Sequence, residues 1–261
     1  MALERDVVMQ RLNWCWRVAM TGWLFVLFGL GGFLMALFGF NLLNLTVRDR
    51  LRRRNLARRA VSASFRFFLR HGRWLGVFDY HFENSALLRE ERGTLIVANH
   101  PTLLDYVFIA SQMPQVGCLV KASLTGNIFM RGVIRAADYL INSQGETLLA
   151  ESRQRLAAGE SILIFPEGTR TRPGQPFRAQ RGAANIAVRS GCPLRLVHID
   201  CNTRWLDKQS RWYQVPARKP KVVVSVRSRI DSRIYLAGDE ASSRAARRLT
   251  RYLEQALPVT R

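Results

Sequence analysis

The stretch "TLIVANHPTLLDYVFIA", residues 94–110, joins an apolar run to a histidine, a proline and a second apolar stretch that carries one acid. Residues 94–98 are aliphatic and β-branched, which predicts a buried strand. The residues after Pro101 predict a helix, and proline is favoured at the first position of a helix. We therefore expect His100 to cap this helix at the carboxyl end of the strand, the edge where open α/β sheets bind ligands.

The rest of the chain repeats this alternation of strand and helix. Helical patterns at 145–160 and 180–191 separate strand-like runs, and a last amphipathic helix is predicted at 240–256. The further strand-like runs are 116–120, 161–165, 194–200 and 222–226. This order predicts an α/β fold, with a mixed, mostly parallel sheet flanked by helices.

The N-terminal part has a different character. Residues 18–47 carry no charged side chain, and the apolar stretch 23–40 is long enough to cross about 30 Å of hydrocarbon as a helix. We expect residues 1–80 to form a membrane-embedded helical module, with one helix over about 14–43 and a basic, amphipathic helix after it. Residues 81–261 would form the α/β domain. A helix that enters one leaflet and returns is the alternative, because residues 65–78 mix aromatic and arginine side chains as interfacial helices do.

The net charge of +21 comes mostly from arginine and favours an anionic partner. An anionic membrane surface is the simpler partner, since no nucleic-acid-binding motif is present and the arginines are spread along the chain. Seven arginines between residues 47 and 60 follow the apolar stretch. Because positive flanks stay in the cytoplasm, we expect the α/β domain to lie on the cytoplasmic side of the inner membrane.

His100 and Asp105 form a candidate catalytic pair. In a regular helix, residues five apart lie roughly 140° from each other. A histidine just outside the helix could instead fold back over the first turn towards Asp105. An aspartate bonded to one ring nitrogen leaves the other free to remove a proton from a nucleophile. A purely structural cap remains the alternative.

The second candidate segment is "ILIFPEGTR", residues 162–170, where another apolar run stops at a polar turn. Gly168 permits a tight turn, and Arg170 and Arg172 could bind phosphate through paired N–H groups. Glu167 could accept hydrogen bonds from ligand hydroxyls or hold an arginine in place. A polar connecting loop without a ligand is the alternative.

Together, N-H-x-x-x-x-D at 99–105 and F-P-E-G-T-R at 165–170 resemble the motifs of the glycerolipid and lysophospholipid acyltransferases. The 1-acylglycerol-3-phosphate acyltransferases are the type members, and the resemblance covers roughly residues 85–215. It implies transfer of a fatty acyl group from acyl-CoA or acyl carrier protein to a hydroxyl of a lysophospholipid or related lipid. His100 would be the general base and Asp105 would orient it. The residues expected to bind substrate are Lys121, Glu167, Gly168, Thr169 and Arg170.

The resemblance implies neither a metal nor a cofactor, because the acyl donor is itself a substrate. Asn142 stands where the family often has an arginine, which leaves open whether the acceptor is lysophosphatidic acid or a specialised lipid. A hydrolase that uses the same His–Asp pair is the first alternative function, although no G-x-S-x-G nucleophile motif is present. A membrane-tethered nucleic-acid-binding protein is the second.

Overall fold

A mixed β-sheet forms the centre of the molecule. The computed structural model describes residues 2–142, 145–172, 174–236 and 241–258. The strands within these ranges are β1 (Asp79–Glu83), β2 (Leu95–Ala98), β3 (Gly117–Lys121), β4 (Leu140–Asn142), β5 (Ile162–Ile164), β6 (Pro193–Cys201) and β7 (Lys221–Asp231). They lie in the order β1-β7-β6-β2-β5-β3-β4, and each neighbouring pair is parallel except β6 and β7.

The predicted α/β class and mostly parallel sheet are confirmed. The five strands expected from the sequence are β2, β3, β5, β6 and β7. The prediction missed β1 and β4, which lie at the two edges of the sheet. An edge strand has one neighbour instead of two, so its sequence needs less apolar character: β1 reads "DYHFE" and β4 is only "LIN".

Strand β2 shows why the centre of the sheet is apolar throughout. All four of its residues are fully buried, and the strand pairs with β5 on one side and β6 on the other. Leu95 and Val97 point into the core on one face of the sheet, whereas Ile96 and Ala98 point into the core on the other. The alternation along one strand therefore serves two hydrophobic layers.

The N-terminal helix is longer than the predicted 14–43. It runs as α1 (Ala2–Leu34), a π-helical segment (Met35–Gly39) and α2 (Phe40–Thr46). Residues 8–46 are long and apolar enough, by length and composition, to cross a membrane. Most of their side chains are exposed. One side of α1 nevertheless contacts the rest of the protein: the buried Arg17 donates hydrogen bonds to the carbonyls of Pro216 and Ala217.

Helix α3 (Arg50–Trp74) contains most of the basic stretch 47–60 and most of the predicted interfacial stretch 65–78. Asp49 caps its N-terminus by accepting a hydrogen bond from the N–H of Arg52. Phe65 and Phe68 are buried in the core, whereas Phe67 and Trp74 are exposed. This helix therefore covers one face of the sheet as well as presenting aromatic side chains outward. The predicted boundary at residue 80 falls inside β1.

The remaining helices complete the two layers. Helix α5 (Asp105–Gln112) lies on the same face as α3, and α7 (Gly145–Ala157), α8 (Arg181–Ser190) and α9 (Ser242–Ala256) cover the opposite face. Shorter helices are α4 (Ala86–Glu90) and α6 (Arg131–Ala136). Gly191 ends α8 in the left-handed conformation that glycine adopts without strain. The predicted last helix agrees with α9, except that residue 240 lies outside the described residues.

Candidate active site

His100 lies just beyond the carboxyl end of β2, next to the loop that follows β5. The parallel pairing of β2 with β5 brings both motif loops to one edge of the sheet. The predicted helix start is wrong, however: residues 101–104 form a turn, and α5 begins at Asp105. Pro101 therefore starts a turn, and His100 is not the helix cap. The turn allows the side chains of His100 and Asp105 to meet without the angular separation of a regular helix.

The His100–Asp105 pair has the geometry of a general base and its orienting acid. His100 Nδ1 lies 2.7 Å from Asp105 Oδ2. The Asp105 side chain is fully buried, and the N–H and hydroxyl of Thr102 also donate to it. A carboxylate accepts hydrogen bonds only, so this environment directs the Nδ1–H of His100 towards Asp105 and leaves Nε2 as the free nitrogen.

The second motif holds His100 from the other side. The Phe165 ring stacks on the His100 ring with the centroids 4.1 Å apart. Glu167 Oε1 accepts hydrogen bonds from the N–H of His100 and the hydroxyl of Thr171, and the N–H of Thr171 donates to the His100 carbonyl. Burial raises the pKa of the Glu167 carboxyl, and the bonds from Thr171 and His100 oppose this shift. Glu167 therefore joins the two loops. The sequence had left open whether Glu167 accepts from ligand hydroxyls or holds an arginine in place; in the structure its Oε1 bonds to His100 and Thr171.

Glu167 should act on the reaction through the position of His100. We expect Glu167→Ala to lower kcat by about tenfold, and by up to about 100-fold if His100 shifts by as much as 1 Å. Glu167→Gln keeps an oxygen acceptor for the two donors, so it should restore most of the rate. Steady-state kcat and KM of both variants measure this, with KM changing little. A normal kcat in Glu167→Ala would show that the bonds to His100 and Thr171 are dispensable.

Arg170 bonds to a loop that the sequence analysis did not single out. Its Nη1 donates to the carbonyls of Leu206 and Asp207, at 2.9 and 2.8 Å. Both belong to the segment 202–220 between β6 and β7. Connections longer than about 12–15 residues without regular structure are uncommon and are usually functional, so its length was the available signal. Lys208 of this segment lies at the same cavity as Arg170.

A cavity of about 1050 Å³ opens at His100. Apolar residues of α1, including Leu24 and Phe28, and of α3, including Phe65 and Phe68, form much of its wall. The predicted residues that line it are His100, Lys121, Gly168, Thr169 and Arg170, and Asn142 lines it as well. Asp105 and Glu167 lie behind His100 and support it. The site thus combines a base, three cationic side chains (Lys121, Arg170 and Lys208) and a large apolar volume.

Gly168 has a specific steric reason to be glycine. Its φ of +66° is in the left-handed region, and a Cβ there would lie 2.8 Å from the Gln180 side chain.

Within the described ranges, no three His, Cys, Asp or Glu side chains come together as a possible set of metal ligands.

Residues 79–199 match the family model described as Acyltransferase. The 1-acyl-sn-glycerol-3-phosphate acyltransferase of Helicobacter pylori is 30% identical over 98 residues, which cover 35% of this chain and 41% of that protein. The human 1-acyl-sn-glycerol-3-phosphate acyltransferase beta is 25% identical over 136 residues, 49% of each chain. The chain thus spans about half, or less, of the length of these curated relatives.

The fold of the whole chain has a solved counterpart. The 1-acyl-sn-glycerophosphate (LPA) acyltransferase PlsC from Thermotoga maritima superimposes with a TM-score of 0.63 at 21% identity, over 95% of this chain and 97% of that one. At this identity the likeness concerns the fold, and it extends to the N-terminal helix and the mixed sheet. Residues 79–199, from β1 into β6, therefore match the acyltransferase family model, and the chain resembles the 1-acylglycerol-3-phosphate acyltransferases in sequence and in fold.

Proposed function

We propose that the protein transfers a fatty acyl group from the thioester of acyl-CoA or acyl carrier protein to a hydroxyl of a lysophospholipid or related lipid. The observation that carries this proposal is the His100–Asp105 pair at the mouth of an apolar cavity with cationic residues in its wall. An apolar volume of about 1050 Å³ suits acyl chains, and Lys121, Arg170 and Lys208 suit a phosphate. His100 lines the same cavity as the apolar wall and the cationic side chains, so a lipid hydroxyl and a thioester bound there would meet beside it.

In the proposed reaction, Nε2 of His100 removes the proton of the acceptor hydroxyl. The acceptor oxygen attacks the thioester carbonyl and forms the new ester bond. The carbon–sulfur bond breaks, and the proton held by His100 passes to the leaving thiolate. Asp105 stabilises the charged imidazolium through Nδ1–H, and the buried Thr102 fixes Asp105. The acceptor itself attacks the carbonyl, so the reaction needs no acyl-enzyme.

The proposed location is the cytoplasmic membrane, with the α/β domain on the cytoplasmic side. The exposed apolar side chains of the N-terminal helix and the arginines at the start of α3 support an association with an anionic bilayer. We keep the division into a membrane module to about residue 80 and an α/β domain beyond it. Residues of α1 form part of the wall of the catalytic cavity, so in this arrangement the membrane module also contributes to substrate binding.

The reaction type can be tested with acyl-CoA and acyl carrier protein thioesters, each supplied with and without lyso-acceptors. We expect thiol release to depend on the acceptor, and mass spectrometry to find the acylated lipid in equal amount. Thiol release that ignores the acceptor would support the hydrolase alternative, in which water takes the place of the lipid hydroxyl. A panel of lysophosphatidic acid, other lysophospholipids and phosphate-free acceptors would identify the acceptor class.

Arg170 should bind the phosphate of the acceptor. A hydrogen bond to a charged group contributes about 1.5–3 kcal/mol, which corresponds to roughly 10- to 150-fold in affinity. We expect Arg170→Ala to raise the acceptor KM by about that factor, with a smaller effect on the donor KM. Arg170→Lys should recover only part of the loss, because lysine lacks the two-pronged geometry of the guanidinium.

A phosphate-free acceptor separates this role from support of the loop 202–220. If Arg170 binds the phosphate, Arg170→Ala should leave the KM of a monoacylglycerol nearly unchanged. If Arg170 only holds the carbonyls of Leu206 and Asp207, the KM values of both acceptors should rise by the same factor, and the assignment to the phosphate would be wrong. An effect confined to the donor KM would assign Arg170 to the other substrate.

A further inference from the structure

A second cavity, of about 890 Å³, lies between the N-terminal helix, the start of α3 and α6. Phe33, Leu37 and Phe40 contribute to its apolar wall, and the close approach of Gly132 to Ala36 joins α6 to the helix there. A Cβ on Gly132 would lie 2.3 Å from the Cβ of Ala36, so this contact requires glycine. Among the described residues, none lines both this cavity and the catalytic cavity.

The charge of this cavity is strongly positive. Its described lining residues include one acid, Asp138, and five arginines: Arg50, Arg53, Arg54, Arg131 and Arg135. Asp138 already pairs with Arg54 and with Arg155 from α7. Within the described part of the chain, the side chains of Arg50, Arg131 and Arg135 form no ion pair or hydrogen bond, and all three are exposed. Three guanidinium groups are therefore available to an anion, and phosphate matches their paired N–H donors.

The apolar wall is the part of the N-terminal helix that contains the π-helical segment Met35–Gly39. The extra residue in a π turn changes the direction of the side chains that follow, and such segments occur frequently at functional sites. Directly after it, Phe40 is buried whereas the neighbouring Phe38 and Leu42 are exposed. The same helix thus presents apolar side chains both to the cavity and to its surroundings, next to the arginines of α3 and α6.

We infer that this cavity binds one anionic phospholipid, with its phosphate on Arg50, Arg131 and Arg135 and its acyl chains along the π-helical segment and α2. Five arginines against one paired acid favour a headgroup with net negative charge over a zwitterionic one, because a choline group would meet only cations. The apolar wall favours a lipid over a free phosphate ion. The inference rests on the membrane association in the proposed function, and it is independent of the acyl-transfer chemistry.

The test uses the full chain, purified in a non-ionic detergent, and short-chain phosphatidylglycerol as the probe. Native mass spectrometry gives the number of lipids bound, and the shift in thermal unfolding gives the affinity. The key variant is Arg50→Gln/Arg131→Gln/Arg135→Gln. The matched control is Arg52→Gln/Arg59→Gln/Arg70→Gln, which removes three exposed arginines of α3 that line neither cavity.

We expect one phosphatidylglycerol to bind the unmodified protein, and the key variant to bind it about 10- to 150-fold more weakly, the equivalent of one charge-assisted hydrogen bond. The control should stay within about threefold of the unmodified protein, since its arginines do not line the cavity. Lys121→Gln/Arg170→Gln should also keep binding, because these residues belong to the catalytic cavity. The replaced arginines of the key variant are exposed and unpaired, so its thermal unfolding without lipid should match that of the control.

Four results would overturn the inference. Equal loss in the key variant and the control would mean general attraction to an anionic surface. Loss in Lys121→Gln/Arg170→Gln alone would place the lipid in the catalytic cavity. Equal binding of phosphatidylcholine would show that the net charge of the headgroup plays no part. Equal binding of inorganic phosphate at the same concentration would show that the lipid chains play no part. None of these measurements depends on whether acyl transfer occurs, so the proposed function can fail or stand separately.

Discussion

Replacing His100 with alanine should lower kcat for acyl transfer by about 10²–10⁴-fold, the range that general-base catalysis contributes. The variant loses the nitrogen proposed to remove the acceptor proton, but it keeps the cavity and the cationic residues proposed to bind substrate. We therefore expect KM values for donor and acceptor to change much less than kcat. Initial rates with a thioester donor and the best lyso-acceptor measure both constants.

The matched control for this variant is His81→Ala, since His81 is an exposed histidine in the edge strand β1. It should keep the normal rate. A folded His100→Ala protein that transfers acyl groups at a near-normal rate would contradict the mechanism.

Asp105→Asn separates orientation from charge. An asparagine can place its oxygen at the position of Oδ2, where it still accepts from His100 Nδ1 and from the N–H of Thr102. Its amide group can then donate to the Thr102 hydroxyl, so the turn should remain folded. The neutral amide stabilises the imidazolium less than a carboxylate does. We accordingly expect a lower kcat without a matching loss of thermal stability.

The largest expected effect on stability is at Arg58, whose side chain is only 2% exposed. Its guanidinium donates to the carbonyls of Ala137, Asp138 and Gln115, and it pairs with Glu160 at 3.0 Å. Burial lowers the pKa of this guanidinium, and Glu160 opposes that shift. Arg58→Ala leaves the carbonyls of Ala137 and Gln115 without this donor, and an interior acceptor left unpaired costs about 1–3 kcal/mol. Glu160 keeps its ion pair with Arg54, so we expect a total loss of about 3–5 kcal/mol. The midpoint temperature of thermal unfolding in detergent should therefore fall by roughly 6–20 °C.

Arg59→Ala is the control for Arg58→Ala, because Arg59 is the next residue of α3 but is exposed. It should change the free energy of unfolding by no more than about 0.5 kcal/mol. An equal loss of stability in both variants would mean that charge density along α3, and not the buried network, stabilises the packing of α3 on the domain.

These arginines show how far the sequence could predict the molecule. The run between residues 47 and 60 identifies a basic segment next to an apolar helix, and the positive flank has a direct physical meaning for membrane orientation. It does not show that Arg58 is buried whereas Arg59 is exposed. That difference arises because the partners of Arg58, from Gln115 to Glu160, lie far along the chain and are brought to α3 only by the sheet.

Local patterns in the sequence were enough for several features. The apolar run at 94–98, the alternation of strands and helices, and the two polar motifs determined the fold class and the edge of the sheet where the motifs meet. They could do so because strand and helix periods are local, and because neighbouring parallel strands end at the same edge. The weak patterns of β1 and β4 were missed since edge strands need little apolar character.

Only the tertiary structure decided how the site is assembled. The turn at 101–104, not a helix cap, brings His100 to Asp105, and Glu167 holds the backbone of His100. Helix α1 forms a wall of the cavity, and Arg170 bonds to a loop more than 30 residues away. Each of these contacts joins segments whose spacing along the chain carries no periodic signal. The sequence thus determined which chemical groups are present and in what order, whereas the packing of helices and loops on the sheet determined which of them meet.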